Sequence, residues 1–473
     1  MRNKTGRRIG WGVAGLLLLG AVAWLVASRE QPVETRYTGA YRFEDGTLVV
    51  LSPRDAQSLR FKLMNGETGA LWPNEATGAY EGGRGWAERE PVTNRVRFQR
   101  DAAGKVTGMT WEKIVDGTAV QSELTRVPLR EEFVTFPSGN LTLRGKLILP
   151  EGEGPFPVVI PVHGSEDYSG VDHYSDPYMH AAHGIAAFVY DKRGTGKSEG
   201  TYTANFQVLS DDTVAAVRYV RQRSEIDGNN VHLAGYSQGG WIAPLAALKD
   251  GNIRSLLIGF GVARPVLEED RWGYVYALQQ KGFGDQAIAE MDEIAAILSD
   301  IYDHGRNRWS DFARALDAAR EKPWFETAKH SDSLFGLIVG AEKPLWLVRP
   351  YLWWKYARMD PPFIDRLYDP VDTLSKLDVP SLWIFGGEDS SAPTQWSVDT
   401  LRELQGAGRP IEYFVYPNAE HGILRFEQKE DGERTVLGYE DGYFRQQVEW
   451  LRRQSGLQPA EVPSGDLSSD GLQ

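Results

Sequence analysis

The sequence predicts an α/β fold: a mostly parallel eight-stranded sheet with helices on both faces, an inserted helical cap and a small all-β domain in front. Three observations carry this. Beyond Leu129, short apolar runs alternate with amphipathic stretches, the pattern of parallel strands joined by crossover helices. Between Phe260 and Leu382 that rhythm stops and only helical periodicity is found. Before Leu129, short β-type segments are separated by the tight-turn dipeptides Asp45-Gly46, Asn65-Gly66 and Asp116-Gly117.

In chain order, residues 1–30 read as an N-terminal transmembrane helix. Arg2, Lys4, Arg7 and Arg8 precede an uncharged stretch from Ile9 to Ala27, long enough at helical rise to cross most of a bilayer. Basic residues before the span put the N-terminus in the cytoplasm and the rest outside, on the periplasmic side. Trp11 and Trp24 near its ends suit a retained anchor. The competing reading is a signal peptide cut at Arg29, after Val26 and Ser28, which leaves a secreted or periplasmic chain.

Residues 36–129 form the β domain, with strand candidates such as Leu48 to Leu51, Leu59 to Leu63 and Val96 to Phe98. Nothing in it looks chemical, and its expected role is that of a spacer or lid-bearing module between membrane and catalytic unit, with ligand binding as an alternative that no residue supports. Residues 130–455 supply eight strand candidates: Phe133 to Phe136, Leu141 to Leu149, Val158 to Val162, Ala186 to Tyr190, Val231 to Ala234, Leu256 to Phe260, Leu382 to Phe385 and Tyr413 to Tyr416. A helix from Asp211 to Arg223 stripes Val214, Val217 and Val220 behind Ser210 as N-cap, and a last helix spans Tyr443 to Arg453. The interval 264–372 is too long for an ordinary connection and is read as the cap. Its aromatics, Trp324, Phe325, Trp346, Tyr351, Trp353, Trp354 and Tyr356, predict a cap core and an aromatic wall over an apolar substrate. The Ser-, Gly-, Pro- and Asp-rich stretch 456–473 reads as a disordered tail.

Composition removes several chemistries. The 473 residues carry a net charge of −13, or −17 without the four basic N-terminal residues, which disfavours nucleic acid as a partner. No cysteine is present, so disulfides, thiolate zinc and a Cys nucleophile are excluded. No metal-ligand spacing or dinucleotide fingerprint is found, and neither metal nor cofactor is expected. Asp191 to Ser198 looks superficially like a phosphate loop, but Asp191 stands where that motif needs its first glycine. Asp191 and Arg193 are expected to brace a loop instead.

The strongest motif is Gly235-Tyr236-Ser237-Gln238-Gly239-Gly240. It directly follows a predicted strand and precedes a helical stretch, the setting of a nucleophile elbow, where glycines leave room for a serine on a sharp turn. That architecture orders its residues Ser, acid, His, so the base must be His304, His330 or His421. The first two fall in the cap and read as surface. His421 follows the last strand, at the sheet edge where open α/β sheets bind ligands. Asp389, with Glu388 in reserve, follows the preceding strand and would orient the imidazole. The oxyanion hole is expected from the Gln238 amide and the Ser165 amide, with Gly164 next; His163 is assigned a structural role.

Five segments in this order, His163-Gly164-Ser165, Tyr190 to Ser198, Gly235 to Gly239, Gly387-Glu388-Asp389 and Glu420-His421-Gly422, resemble the α/β-hydrolase superfamily. Within it the chain is similar to exported bacterial esterases related to the dienelactone hydrolase and prolyl oligopeptidase branches. The resemblance spans Glu131 to Arg453. It implies the α/β-hydrolase fold, with Ser237 as nucleophile, Asp389 as acid and His421 as base. The expected function is a serine hydrolase cleaving carboxylic esters of small molecules through an acyl-enzyme. Two alternatives stand beside it: a serine peptidase or aminopeptidase, with Glu268, Glu269 and Asp270 capturing a free amine, and a non-catalytic, membrane-tethered binding protein on the same scaffold.

Overall fold

The computed structural model describes residues 35–340, 363–429 and 434–459. The expected membrane segment, most of the expected tail, and the cap residues Trp346, Tyr351, Trp353, Trp354 and Tyr356 lie outside them. Among the described residues, no helix is long and apolar enough to cross a membrane.

The N-terminal part is a closed antiparallel barrel of eight strands, β1 (Gly39–Phe43), β2 (Leu48–Pro53), β3 (Leu59–Leu63), β4 (Thr68–Asn74), β5 (Ala79–Gly82), β6 (Asn94–Arg100), β7 (Val106–Val115) and β8 (Thr118–Arg126). Closure comes from β1 pairing β8, with Tyr41 opposite Arg126, and leaves no open edge. Alternation sets the interior: in β3, Leu59, Phe61 and Leu63 are buried while Arg60 and Lys62 are half-buried on the other face. Phe61 meets Trp111 edge to face at 4.9 Å inside. β2 breaks the alternation and is buried throughout. Val49 and Leu51 fill the barrel, whereas Val50 packs with Tyr178 and Met179 of the following domain.

That domain is built on β9 (Arg130–Ser138), β10 (Leu141–Leu149), β11 (Phe156–Val162), β12 (Ala186–Tyr190), β13 (Ile226–Tyr236), β14 (Ser255–Gly259), β15 (Ser381–Gly386) and β16 (Ile411–Tyr416). The order is β16-β15-β14-β13-β11-β12-β10-β9, parallel except for the β9/β10 and β10/β12 pairs. All eight predicted strands are present, some longer than their apolar runs because polar ends such as Asp227 to Asn230 continue the ladder.

Helices α1 (Gly170–His173), α2 (Asp176–Ala182), α3 (Phe206–Arg221) and α4 (Gly239–Asp250) follow strands β11 to β13. α3 begins five residues before the expected Asp211. Asn205 is its N-cap, accepting from the Val208 amide at 3.1 Å, and Ser210 lies inside the helix, bonded to the Gln207 carbonyl.

The insertion between β14 and β15 contains α5 (Val266–Gln280), α6 (Asp285–Tyr302), α7 (Trp309–Ala319), α8 (Phe325–Lys329) and α9 (Leu334–Val339). It has its own core, which takes in Trp324 and Phe325. After it come α10 (Val371–Leu374), α11 (Thr394–Gly406), an unpredicted hairpin β17 (Leu424–Gln428) and β18 (Arg434–Tyr439), and α12 (Tyr443–Gln454). The hairpin reaches back to the barrel, where the Tyr439 amide donates to the Gly66 carbonyl at 2.8 Å.

Candidate active site

Ser237 stands between β13 and α4 at φ +52°, a left-handed conformation that costs a non-glycine residue of order 1–3 kcal/mol and marks a strained turn. The flanking glycines have a steric cause. A Cβ on Gly235 would lie 2.4 Å from the Gly239 carbonyl oxygen, and one on Gly239 would lie 2.2 Å from that of Val162. Any side chain at either position would force the strand and helix apart, so the tight turn requires glycine there.

The structure brings three predicted residues together at the C-terminal ends of three strands. His421 Nε2 lies 3.1 Å from Ser237 Oγ, and His421 Nδ1 lies 2.9 Å from Asp389 Oδ2. Asp389 is buried, and its Oδ1 accepts from the amides of Ser391 and Ala392 at 2.9 and 2.8 Å. Burial alone would lower the His421 pKa; the charge and hydrogen bond of Asp389, helped by Glu269 and Asp332, overcome this and raise it above 6.5. Glu388, the reserve acid, faces Arg434 at 3.3 Å instead. His304 and His330 are exposed.

Gly164 and Ser165 run beside the serine: a Cβ on Gly164 would lie 3.4 Å from that of Ser237. The amides of Gly164, Ser165 and Gln238 have no partner among the described residues. His163 is held away from catalysis, with Nε2 2.5 Å from the Tyr190 carbonyl and Nδ1 3.2 Å from Glu166. Lys192 donates to the Gly164 carbonyl at 2.8 Å and to the Glu166 carbonyl, tying down this loop from beneath. Asp191 bonds Ser169 Oγ at 2.6 Å and the Val171 amide at 3.1 Å, while Arg193 forks onto Asp212. The lookalike phosphate loop is thus a brace. Burial would raise the Glu166 pKa, but His163, Lys192 and Tyr174 bring it down to about 2, so it is ionised.

Sequence reasoning missed several neighbours. Glu420 Oε1 accepts from the Ser390 amide at 2.7 Å and the His421 amide at 2.9 Å, stitching the acid loop to the histidine loop, and Arg434 pairs with Glu420. Phe260 sets its ring edge to face with the imidazole at 5.0 Å. The adjacency of Glu420 and His421 was the available signal for the first; the others are contacts between distant segments.

A cavity of about 1010 Å³ opens over Ser237 and His421. The expected aromatic cap wall is not among its described lining residues. Its walls come from the barrel, with Arg54, Arg60, Lys62 and Trp86, from the loop between Gly164 and Asp176, and from Phe260, Leu424, Tyr439 and Tyr443. The barrel is thus more than a spacer: the pairs Lys62–Asp176, at 2.6 Å, and His173 Nδ1–Pro53 carbonyl, at 3.2 Å, seat its β2 and β3 side against the site. Of the three acids considered for amine capture, Glu268 bonds Arg264 at 2.6 Å and Asp270 caps the Leu334 amide at 2.6 Å. Glu269 is pushed to about 8 by burial and its acidic neighbours. Among the described residues, no group of three or more His, Asp or Glu side chains could hold a metal ion.

A strained serine on a strand-to-helix turn, in a mostly parallel sheet of this order, is the arrangement of the α/β-hydrolase fold. The family model described as serine aminopeptidase, S33, matches residues 153–264. Esterase EstD of Thermotoga maritima is 25% identical over 341 residues, 70% of this chain and 69% of that protein. A protein of Escherichia coli K12 named as a candidate carboxymethylenebutenolidase is 36% identical over 88 residues, 18% of this chain and 31% of its own length. The structure of an acylaminoacyl peptidase from Pyrococcus horikoshii matches with a TM-score of 0.38 at 15% identity, covering 79% of this chain and 51% of that one. The family match over residues 153–264 and these relatives support a place in the α/β-hydrolase superfamily, near its esterases.

Proposed function

We propose that the protein is a serine hydrolase that cleaves carboxylic esters through a covalent acyl-enzyme. The observation that carries this reading is the bridge made by His421, 3.1 Å from Ser237 Oγ and 2.9 Å from Asp389. In the mechanism, His421 takes the Ser237 proton as the oxygen attacks the ester carbonyl, and Asp389 holds the imidazole in the required tautomer and stabilises its charged form. The Gln238 and Ser165 amides receive the oxyanion. His421 returns the proton to the leaving alcohol, then activates water to release the acid.

The amine-capture arrangement of a peptidase finds little support, because Glu268 and Asp270 are already engaged and none of the three acids lines the described cavity. The basic flank before Ile9 to Ala27 supports an exported location for the catalytic part, with the segment as anchor; membrane fractionation of the full chain against one starting at Arg29 tests this. For the chemistry, a fluorophosphonate probe is expected to label the native protein and not Ser237→Ala. Equal labelling of the two, or none of either, would sink the proposal.

A further inference from the structure

We propose that Arg60 of the barrel is the recognition point for a free carboxylate on the substrate, so that the preferred ester carries a negative charge away from the scissile bond. This rests on the serine-hydrolase reading above and names its substrate class.

Most charges on the cavity wall are paired. Arg54 is 3.5 Å from Asp55, and Lys62 is 2.6 Å from Asp176. The ionised Glu166 sits with His163 and Tyr174 and faces Lys192. Each of these charges has an opposite one beside it. Arg60 does not: among the described residues, no carboxylate lies within ion-pair distance of it. Its one hydrogen bond runs from Nη1 to the Trp86 carbonyl, at 3.4 Å. A guanidinium has five N–H donors, so most of its capacity is unspent.

Arg60 is nevertheless held in place. Its guanidinium carbon lies 3.9 Å from the centre of the Trp86 ring, a stacked cation–π geometry that limits rotation. Both residues line the cavity that contains Ser237 and His421. Strand register explains how it gets there: Leu59 and Phe61 point into the barrel, so Arg60 must point out, towards the neighbouring domain. Half-burying a cation without a counter-charge costs free energy, which a ligand carboxylate offsets. A planar fork is also the geometry that pairs a carboxylate bidentately. The net charge of −13 makes general attraction of anions a poor alternative explanation; the preference must be local.

The test uses the purified full chain and two p-nitrophenyl esters of matched length, the neutral valerate and the anionic hemiglutarate. The expected result is a kcat/KM ratio, hemiglutarate over valerate, of about ten or more, falling about ten-fold in Arg60→Gln and partly kept in Arg60→Lys. A ratio near one in the native protein, or one unaltered in Arg60→Gln, overturns the proposal. Should Arg60→Gln fail to fold, the native protein supplies a second reading: glutarate should slow fluorophosphonate labelling of Ser237 where equimolar 1-pentanol does not, and equal rates overturn it. Failure of the underlying reading looks different, since neither ester is then turned over and Ser237 does not label.

Discussion

Two accessory units flank the hydrolase sheet, and they meet the site in different ways. The barrel precedes the sheet in sequence, yet its β2 and β3 side lines the cavity above Ser237 and is pinned there by Lys62 and Asp176. The helical insertion lies between the strands that carry Ser237 and Asp389, yet none of its described residues lines that cavity: Trp272 Nε1 donates to the Asp389 carbonyl at 3.2 Å and stacks edge to face on Trp396, and Glu269 and Asp332 lend negative charge to His421. Proximity along the chain therefore does not say which unit shapes substrate and which supports the machinery. The barrel should govern KM and selectivity, and the insertion the steadiness of the acid loop.

The largest expected effect lies in neither unit. Asp389→Asn should lower kcat by roughly 10⁴-fold, because the imidazole loses its tautomer and its counter-charge. The pH profile sharpens this. Only neutral His421 can act as base, so kcat/KM of the native enzyme should rise with pH through a midpoint above 6.5, and in Asp389→Asn that midpoint should move down. The linkage to stability has the opposite sense: a raised folded-state pKa stabilises the fold fully below 6.5, and that contribution is lost as pH rises through the folded value. An activity profile without a rising limb above pH 6.5 would break the assignment of His421.

Next comes the floor of the site, which belongs to neither flank. Lys192→Met removes the tie to the Gly164 carbonyl and should cost about 10- to 100-fold in kcat with little change in KM, somewhat less than deleting an oxyanion donor outright. A change confined to KM would show instead that the loop shapes binding.

The flanks themselves separate in the smallest effects. Lys62→Met strands Asp176 beside the cavity and should raise KM several-fold while lowering stability by roughly 1–2 kcal/mol, less than a fully buried pair would lose. Trp272→Leu should lower kcat by only about two- to five-fold, the worth of one hydrogen bond to a loop carbonyl, and leave KM alone. Steady-state kinetics and thermal unfolding of the two variants distinguish the roles, and a KM effect from Trp272→Leu would erase the contrast.

The sequence was most readable where physics is local. Each sheet strand contains a short apolar run, and Gly235 to Gly239 announces its geometry because only glycine tolerates the 2.2–2.4 Å approaches of the elbow. The order Ser237, Asp389, His421 follows from the topology of the sheet. Less readable was whatever depended on distant segments. The strands of the hairpin Leu424–Gln428 and Arg434–Tyr439 are short and only partly buried, so the brief alternation of Leu424 to Glu427 is a weak signal, although the hairpin carries Arg434 to Glu420 and Tyr439 to the barrel. α3 was placed late because Asn205 and Ser210 are both competent caps and only the fold chooses between them. Arg60 looks in sequence like any outward strand residue; its meaning comes from Trp86, 26 positions away, and from the domain against which both are set.

The closed barrel has a consequence for how such an enzyme can diversify. A barrel secures its own hydrogen bonds, so residues on its cavity-facing side, such as Arg54, Asp55 and Trp86, can be exchanged without disturbing the sheet that holds Ser237. Part of the cavity wall is thereby written in a stretch of chain separate from the sheet that holds Ser237. A library confined to those positions should shift substrate preference while leaving Ser237, Asp389 and His421 in place.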